Sequence, residues 1–264
     1  MNRIIDCHCH VYPDKIAAKA VKGIGDFYGL DMGMAGTVSD MTDAEKKAGI
    51  TDCIIFSVAT KTSQVRSINE FIAENVAKDP EHRTGLGTLH PDSDDIDGDI
   101  EQIISLGLKG VKLHPDVQQF KIDDYRCLKI YEKCEGRLPI LMHTGDSRYD
   151  FSNPNRLKPI LEIFTGLTVI GAHLGGWSIW EQAARELCGF GNFYVDCSSS
   201  LYALDVQTAV GIIREYGSER VLFGTDYPMW EPKAEIERFN ALPLNTAERE
   251  NILWKNAVKL FGIK

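Results

Sequence analysis

The residues with the widest chemical reach are seven histidines and a few carboxylates set among apolar runs. His8 and His10 flank Cys9 in the run RIIDCHCH. In an extended strand, side chains two apart share a face roughly 6–7 Å apart, so these imidazoles can close on one cation. His143 ends the run PILMH, His173 ends LTVIGAH and Asp226 ends RVLFGTD. A lone strand histidine is usually a buried polar group satisfied by its neighbours. Three such strand ends together with His8-x-His10 argue instead for a metal site. Neutral imidazoles plus a carboxylate suit a divalent ion, zinc first, with iron, manganese or cobalt as alternatives. The same period of two puts Asp6 beside His8 and His10, and Cys7 and Cys9 on the opposite face. Asp6 then either orients a ligating histidine or is a strand carboxylate held by backbone donors.

Eight β-rich runs are needed to position these groups: 3–10, 52–59, 84–90, 110–114, 139–143, 167–173, 192–197 and 220–226. They are continuous in Val, Ile, Leu and Phe rather than alternating, which marks parallel strands covered on both faces. Amphipathic helical stretches lie between them, at 39–48, 63–78, 99–106, 124–135, 154–164, 177–187, 206–216 and 247–261. Strand, helix and repeat eight times predict a single (β/α)8 TIM barrel over residues 1–264, a barrel that works at the C-terminal ends of its strands. Lys112 and His114 share a face at one such end. Residues 11–51 hold a Gly- and Met-rich segment that reads as a mobile lid or an irregular loop. The acidic run PDSDDIDGD fails the calcium-loop pattern and reads as negative charge for a helix N-terminus.

The composition is an ordinary globular mix, 44% hydrophobic and 25% charged, with a net charge of −9. Acidity argues against nucleic-acid and anionic-membrane partners. No run is long and apolar enough to span a bilayer, and the opening residues lack the apolar core of a secretory signal. Seven cysteines without a zinc-clip spacing read as reduced packing residues, and the expected location is cytoplasmic.

Five segments in order, IIDCHCHVYP, GVKLHP, ILMHTGD, VIGAHLGG and VLFGTDYP, with a closing NAVKLFG, give the chain its likeness to known proteins. It resembles the amidohydrolase superfamily, in the branch that includes aminocarboxymuconate semialdehyde decarboxylase and many small metal-dependent hydrolases. The resemblance implies His8, His10, His143 and Asp226 as ligands of one divalent metal ion. It implies His173 as a proton-handling residue off the metal. Lys112 is then a charge partner or, as in two-metal relatives, a carbamylated bridge, and His114 lines the pocket. A bound zinc ion lowers the pKa of its water toward about 7, which gives Asp226 a proton to accept and His173 an oxyanion to stabilise.

Further contacts are expected from loops. Arg148 clamps a substrate carboxylate or forms a surface ion pair, and backbone N–H groups of Gly175-Gly176-Trp177 face an anion. Trp177, Tyr227 and Trp230 form an apolar wall or pack the barrel mouth, and Asp196 is structural. The leading expectation is a metal-dependent hydrolase of a small amide, lactone or ester. The alternative is non-oxidative decarboxylation of a small unsaturated or aromatic acid at the same site; a barrel that binds without turnover is the third. Expected partners are a small-molecule substrate, with a carboxylate as one option, and scope for a homo-oligomer.

Overall fold

The computed structural model describes residues 3–264. All its strands are parallel: β1 (Ile5–His10), β2 (Asp52–Phe56), β3 (Arg83–Gly85), β4 (Gly87–Thr88), β5 (Val111–Leu113), β6 (Ile140–Met142), β7 (Val169–Gly171), β8 (Phe193–Asp196) and β9 (Val221–Leu222). They run in the order β1-β2-β3 and β4 through β9. β3 and β4 are halves of one barrel strand interrupted at Leu86, whose amide donates to Ile55 O at 3.0 Å. The ring closes where Cys7 N donates to Phe223 O (2.9 Å) and His10 N to Tyr227 O (2.7 Å). The eight expected strands are thus present, in a TIM barrel.

The helices are α1 (Asp14–Tyr28), α2 (Val38–Ala48), α3 (Val65–Ala77), α4 (Ile96–Ser105), the short α5 (Pro115–Gln118), α6 (Tyr125–Cys134), α7 (Pro154–Ile163), α8 (Trp180–Leu187), α9 (Val206–Tyr216), α10 (Pro232–Asn240), α11 (Thr246–Glu250) and α12 (Asn256–Phe261). α1 replaces the first half of the segment expected to be a lid or loop. Its Ala17, Val21 and Gly25 are buried along one stripe, and Gly29 ends it in the left-handed conformation that a C-cap requires. The acidic run caps α4 as anticipated: Asp95 accepts from Gly98 N at 2.9 Å, and Asp97 and Asp99 sit in the first turn. Among the described residues no helix is long and apolar enough to cross a membrane.

Two apolar clusters hold the barrel. Ile5, Cys7, Ile54, Phe56, Leu86, Leu141, Ile170 and Leu222 fill the lumen, which Phe261 of α12 plugs from below. Ile55, Val111, Val169 and Val195 face outward under the helices with Ile72, Ile130 and Ile213. The cysteines are free, and all but Cys188 are buried.

Candidate active site

β1 departs from a plain strand, and the departure builds the site. Its register against β2 shifts between Asp6 and Cys9, so the strand carries a bulge. Cys7 therefore packs in the lumen, whereas Asp6 lies with Cys9 and Glu45 outside it. This overturns the expected face shared by Asp6, His8 and His10; a period of two holds only while the ladder is unbroken. Asp6 takes up the amides that the bulge frees, accepting from His8 N (2.9 Å) and Thr225 N (3.0 Å). Of its two expected roles, the backbone-held carboxylate is the one present.

The acceptor that orients His8 is Asp196, at the end of β8. His8 Nδ1 lies 2.9 Å from Asp196 Oδ2, so Nδ1 carries the proton and Nε2 presents a lone pair. The same logic fixes two further rings. His143 Nε2 faces Gly145 O at 3.0 Å, and His173 Nδ1 faces Ser198 O at 3.1 Å. A carbonyl can only accept, so each of those nitrogens is protonated. Their other nitrogens, His143 Nδ1 and His173 Nε2, then face each other bare at 3.1 Å. Ser198 Oγ spends its one proton on Asp196 and can only accept from His8 and His173.

Around these lone pairs the other donors gather. His8 Nε2 is 3.3 Å from His10 Nε2 and 3.4 Å from Asp226 Oδ1. His10 Nε2 is 3.7 Å from the same oxygen. His8, His10 and Asp226 offer ligand atoms all within 4.8 Å of one another. His143 lies one ring further on, beside His173. Burial, with Lys112 and neighbouring rings adding to it, lowers the pKa of His8, His10 and His143 well below the usual imidazole value, and that of His173 to about 3. Neutral rings with inward lone pairs next to a carboxylate are a donor set that fits a divalent cation. Lys112 Nζ, 3.2 Å from His8 Nε2 and 5.1 Å from the Phe56 ring centroid, is the cationic side chain lying against it. Burial lowers the pKa of Lys112 and raises that of Asp226.

The backbone turns sharply to aim two of these groups. His173 and Asp226 both have positive φ, 59° and 62°. For non-glycine residues this costs on the order of 1–3 kcal/mol each and recurs at functional sites. Asp226 is steadied by Ser199, whose hydroxyl donates to Oδ2 and accepts from Trp230 Nε1 at 2.8 Å. The donors open into a cavity of about 30 Å³, lined among others by Ile24, Tyr28, Met32, His114 and Met229.

His114 is where the sequence places it, stacked on His143 at 4.0 Å and 6°. The structure does not bring Tyr227 into the cavity. It is fully buried, and its hydroxyl donates to Thr37 O or Asp40 and accepts from Gly36 N. The glycine-loop amides are consumed internally: Gly175 N donates to Ala172 O, Gly176 N to His173 O and Trp177 N to Thr144 O. They form no anion cradle. Arg148 is bound to Asp146 at 3.0 and 2.8 Å and donates to Phe27 O at 2.8 Å, with its guanidinium among Phe27, Tyr28, Tyr149 and Trp177. It straps the end of α1 to the loop after β6. Sequence reasoning missed Tyr28 and the Ser198–Ser199 pair. The latter left a trace in the DCSSS run, a polar cluster at a strand end.

A family model described as amidohydrolase matches residues 5–263. Gamma-resorcylate decarboxylase of Polaromonas sp. (strain JS666) is 34% identical over 123 residues, which is 39% of this chain and 37% of that protein. The match thus spans little more than a third of the relative's length. Among solved structures, an uncharacterized TIM-barrel protein of Bordetella bronchiseptica superposes with a TM-score of 0.82 at 24% identity, covering 99% of both chains. A dihydroxybenzoic acid decarboxylase of Polaromonas sp. JS666 with bound manganese gives 0.73 at 18%, covering 100% of this chain and 98% of that one. Matched from its first barrel strand to its last helix, the chain belongs to the amidohydrolase family.

Proposed function

We propose that this protein is a metal-dependent decarboxylase that releases CO2 from a small aromatic or unsaturated carboxylic acid, with residues 1–264 acting as one domain. One observation carries the reading: bare ring nitrogens converge with Asp226 in a narrow cavity whose wall mixes Lys112, His114 and Tyr28 with the apolar Ile24, Met32 and Met229. The named decarboxylase relatives move decarboxylation ahead of the hydrolysis of an amide, lactone or ester. In this reading His8, His10 and Asp226 hold one divalent ion, with His143 as the next ligand. Imidazole-rich donors suit zinc, and manganese occupies the related decarboxylase. The ion supplies positive charge that anchors the substrate's oxygens.

The chain's own residues supply the rest. The bond from the ring carbon to the carboxyl group breaks, its electron pair stays on that carbon, CO2 leaves and a proton takes its place. His173 relays that proton through Nε2: the nitrogen is bare in the resting site, takes up a proton from solvent or from the substrate's own acid group and passes it to the carbon, while its outer nitrogen is held by Ser198. Lys112 and His114 shape the pocket wall, Trp177 packs edge-on against Tyr28, and Arg148 acts on substrate only through the rings it holds. About 30 Å³ holds a water or two, so an aromatic acid gains access only when side chains such as Ile24 and Met32 give way.

The test is metal analysis of the purified protein followed by a panel of hydroxybenzoates, unsaturated diacids, lactones and amides. Release of CO2 that depends on a stoichiometric divalent ion is the expected result. Hydrolysis of lactones or amides without CO2 would overturn the reading in favour of the hydrolase.

A further inference from the structure

We propose that Tyr28, at the end of α1, is a specificity-determining residue that donates a hydrogen bond to a second oxygen of the substrate. The substrate class is then an acid with a further phenolic, carbonyl or carboxylate oxygen besides the carboxyl group that is lost. The inference rests on the decarboxylase reading for the identity of that first group.

His114 Nδ1 accepts the Val117 amide at 3.3 Å, capping α5. Its proton therefore sits on Nε2, 3.0 Å from Tyr28 Oη. The hydroxyl oxygen accepts from His114, and the phenol's own proton has no acceptor among the described residues. Tyr28 lines the same cavity as His10, His173 and Asp226. The ring is fixed on both sides: Trp177 meets it edge-on with centroids 5.1 Å apart, and the Arg148 guanidinium lies 5.2 Å from its centroid. Arg148 is itself immobilised by Asp146 and Phe27 O. Burial raises the pKa of the phenol well above its usual value, so it stays a donor. A fixed donor without an internal acceptor, facing the donor set of a proposed metal site, selects a ligand that brings its own acceptor.

The experiment compares wild type with Tyr28→Phe and Tyr28→Leu as the metal-loaded protein, measuring Kd calorimetrically for benzoate and for 2-, 3- and 4-hydroxybenzoate. Tyr28→Phe keeps the contacts with Trp177 and Arg148, so its melting temperature is expected to match wild type. At least one hydroxybenzoate should bind wild type more tightly than benzoate, and Tyr28→Phe should weaken that acid by about 3- to 10-fold while sparing benzoate. Tyr28→Leu, which removes the ring, should weaken all four. If Tyr28→Phe weakens benzoate as much as the hydroxy acids, or leaves every Kd unchanged, the proposal is overturned. Failure of wild type to bind any of the acids also overturns it. CO2 release recorded on the same acids keeps the two readings apart. Hydroxyl selectivity without CO2 sinks the decarboxylase and spares Tyr28, and CO2 without selectivity does the reverse.

Discussion

β1 carries polar clusters on its two sides, each close enough in its ligand atoms to hold an ion, and they meet opposite fates. Outside the lumen, Asp6, Cys9 and Glu45 gather closely enough to suggest a metal site by composition alone. Yet Asp6 is occupied by His8 N, Thr225 N and the Thr225 hydroxyl, and Cys9 Sγ donates to Glu45 Oε1 at 3.6 Å. Burial raises the pKa of both carboxyls, so the cluster can discharge itself by holding a proton. Inside, His8, His143 and His173 have had their outer nitrogens tied to acceptors, and their inner lone pairs face one another. What distinguishes a site that wants a ligand is therefore the accounting of donors against acceptors, in addition to the kinds of residue assembled.

The most severe way to break the inner cluster is to remove its ligands. The double variant His8→Ala, His10→Ala should lose its metal outright, read as divalent ion per chain by mass spectrometry, and with it all measurable turnover. Asp226→Asn should retain the barrel, by circular dichroism, while activity falls by about 10³-fold or more; its carboxylate both binds and carries charge that an amide lacks. A gentler probe is Asp196→Asn. The amide still fills the space beside His8 Nδ1 but no longer compels a proton there, so metal affinity should weaken by about 10- to 100-fold. Competition with a chromophoric chelator measures that shift, and an unchanged affinity would deny Asp196 its orienting role.

These probes also mark how much could be read from the sequence. The barrel and the strand-end positions of His8, His10, Lys112, His114, His143, His173 and Asp226 were legible because polar side chains interrupt apolar runs at regular intervals. The face of Asp6 was not, since one extra residue in β1 breaks the alternation and no composition signals it. Tyr227, open between cavity wall and packing, was undecided for a related reason, and the structure takes the packing role. It follows Asp226 in a turn at positive φ, where strand alternation no longer says which way a side chain points. α1 was hidden by its glycines, which lower helix propensity although the apolar stripe still buries it. Asp196, Ser198 and Tyr28 owe their roles to partners 188, 190 and 86 residues away in sequence, and such partners appear only once the ring is closed.

The outer cluster offers the smallest and most discriminating test. Glu45→Gln should leave metal content and turnover unchanged, because the inner donors do not depend on it. Its effect should fall on stability and follow pH. The folded-state pKa of Glu45 is raised by burial, so its protonated form favours folding at low pH. That contribution is complete below the unfolded-state value and is lost as pH rises through the raised one. Wild type should therefore lose stability to denaturant between pH 5 and pH 8 relative to Glu45→Gln, whose amide cannot ionise. The variant should be the less affected of the two at pH 8. If the two proteins keep parallel stabilities across that range, Glu45 does not titrate there and the outer cluster does not discharge itself by protonation. If metal content falls as well, the two sides of β1 are coupled and the contrast between them fails.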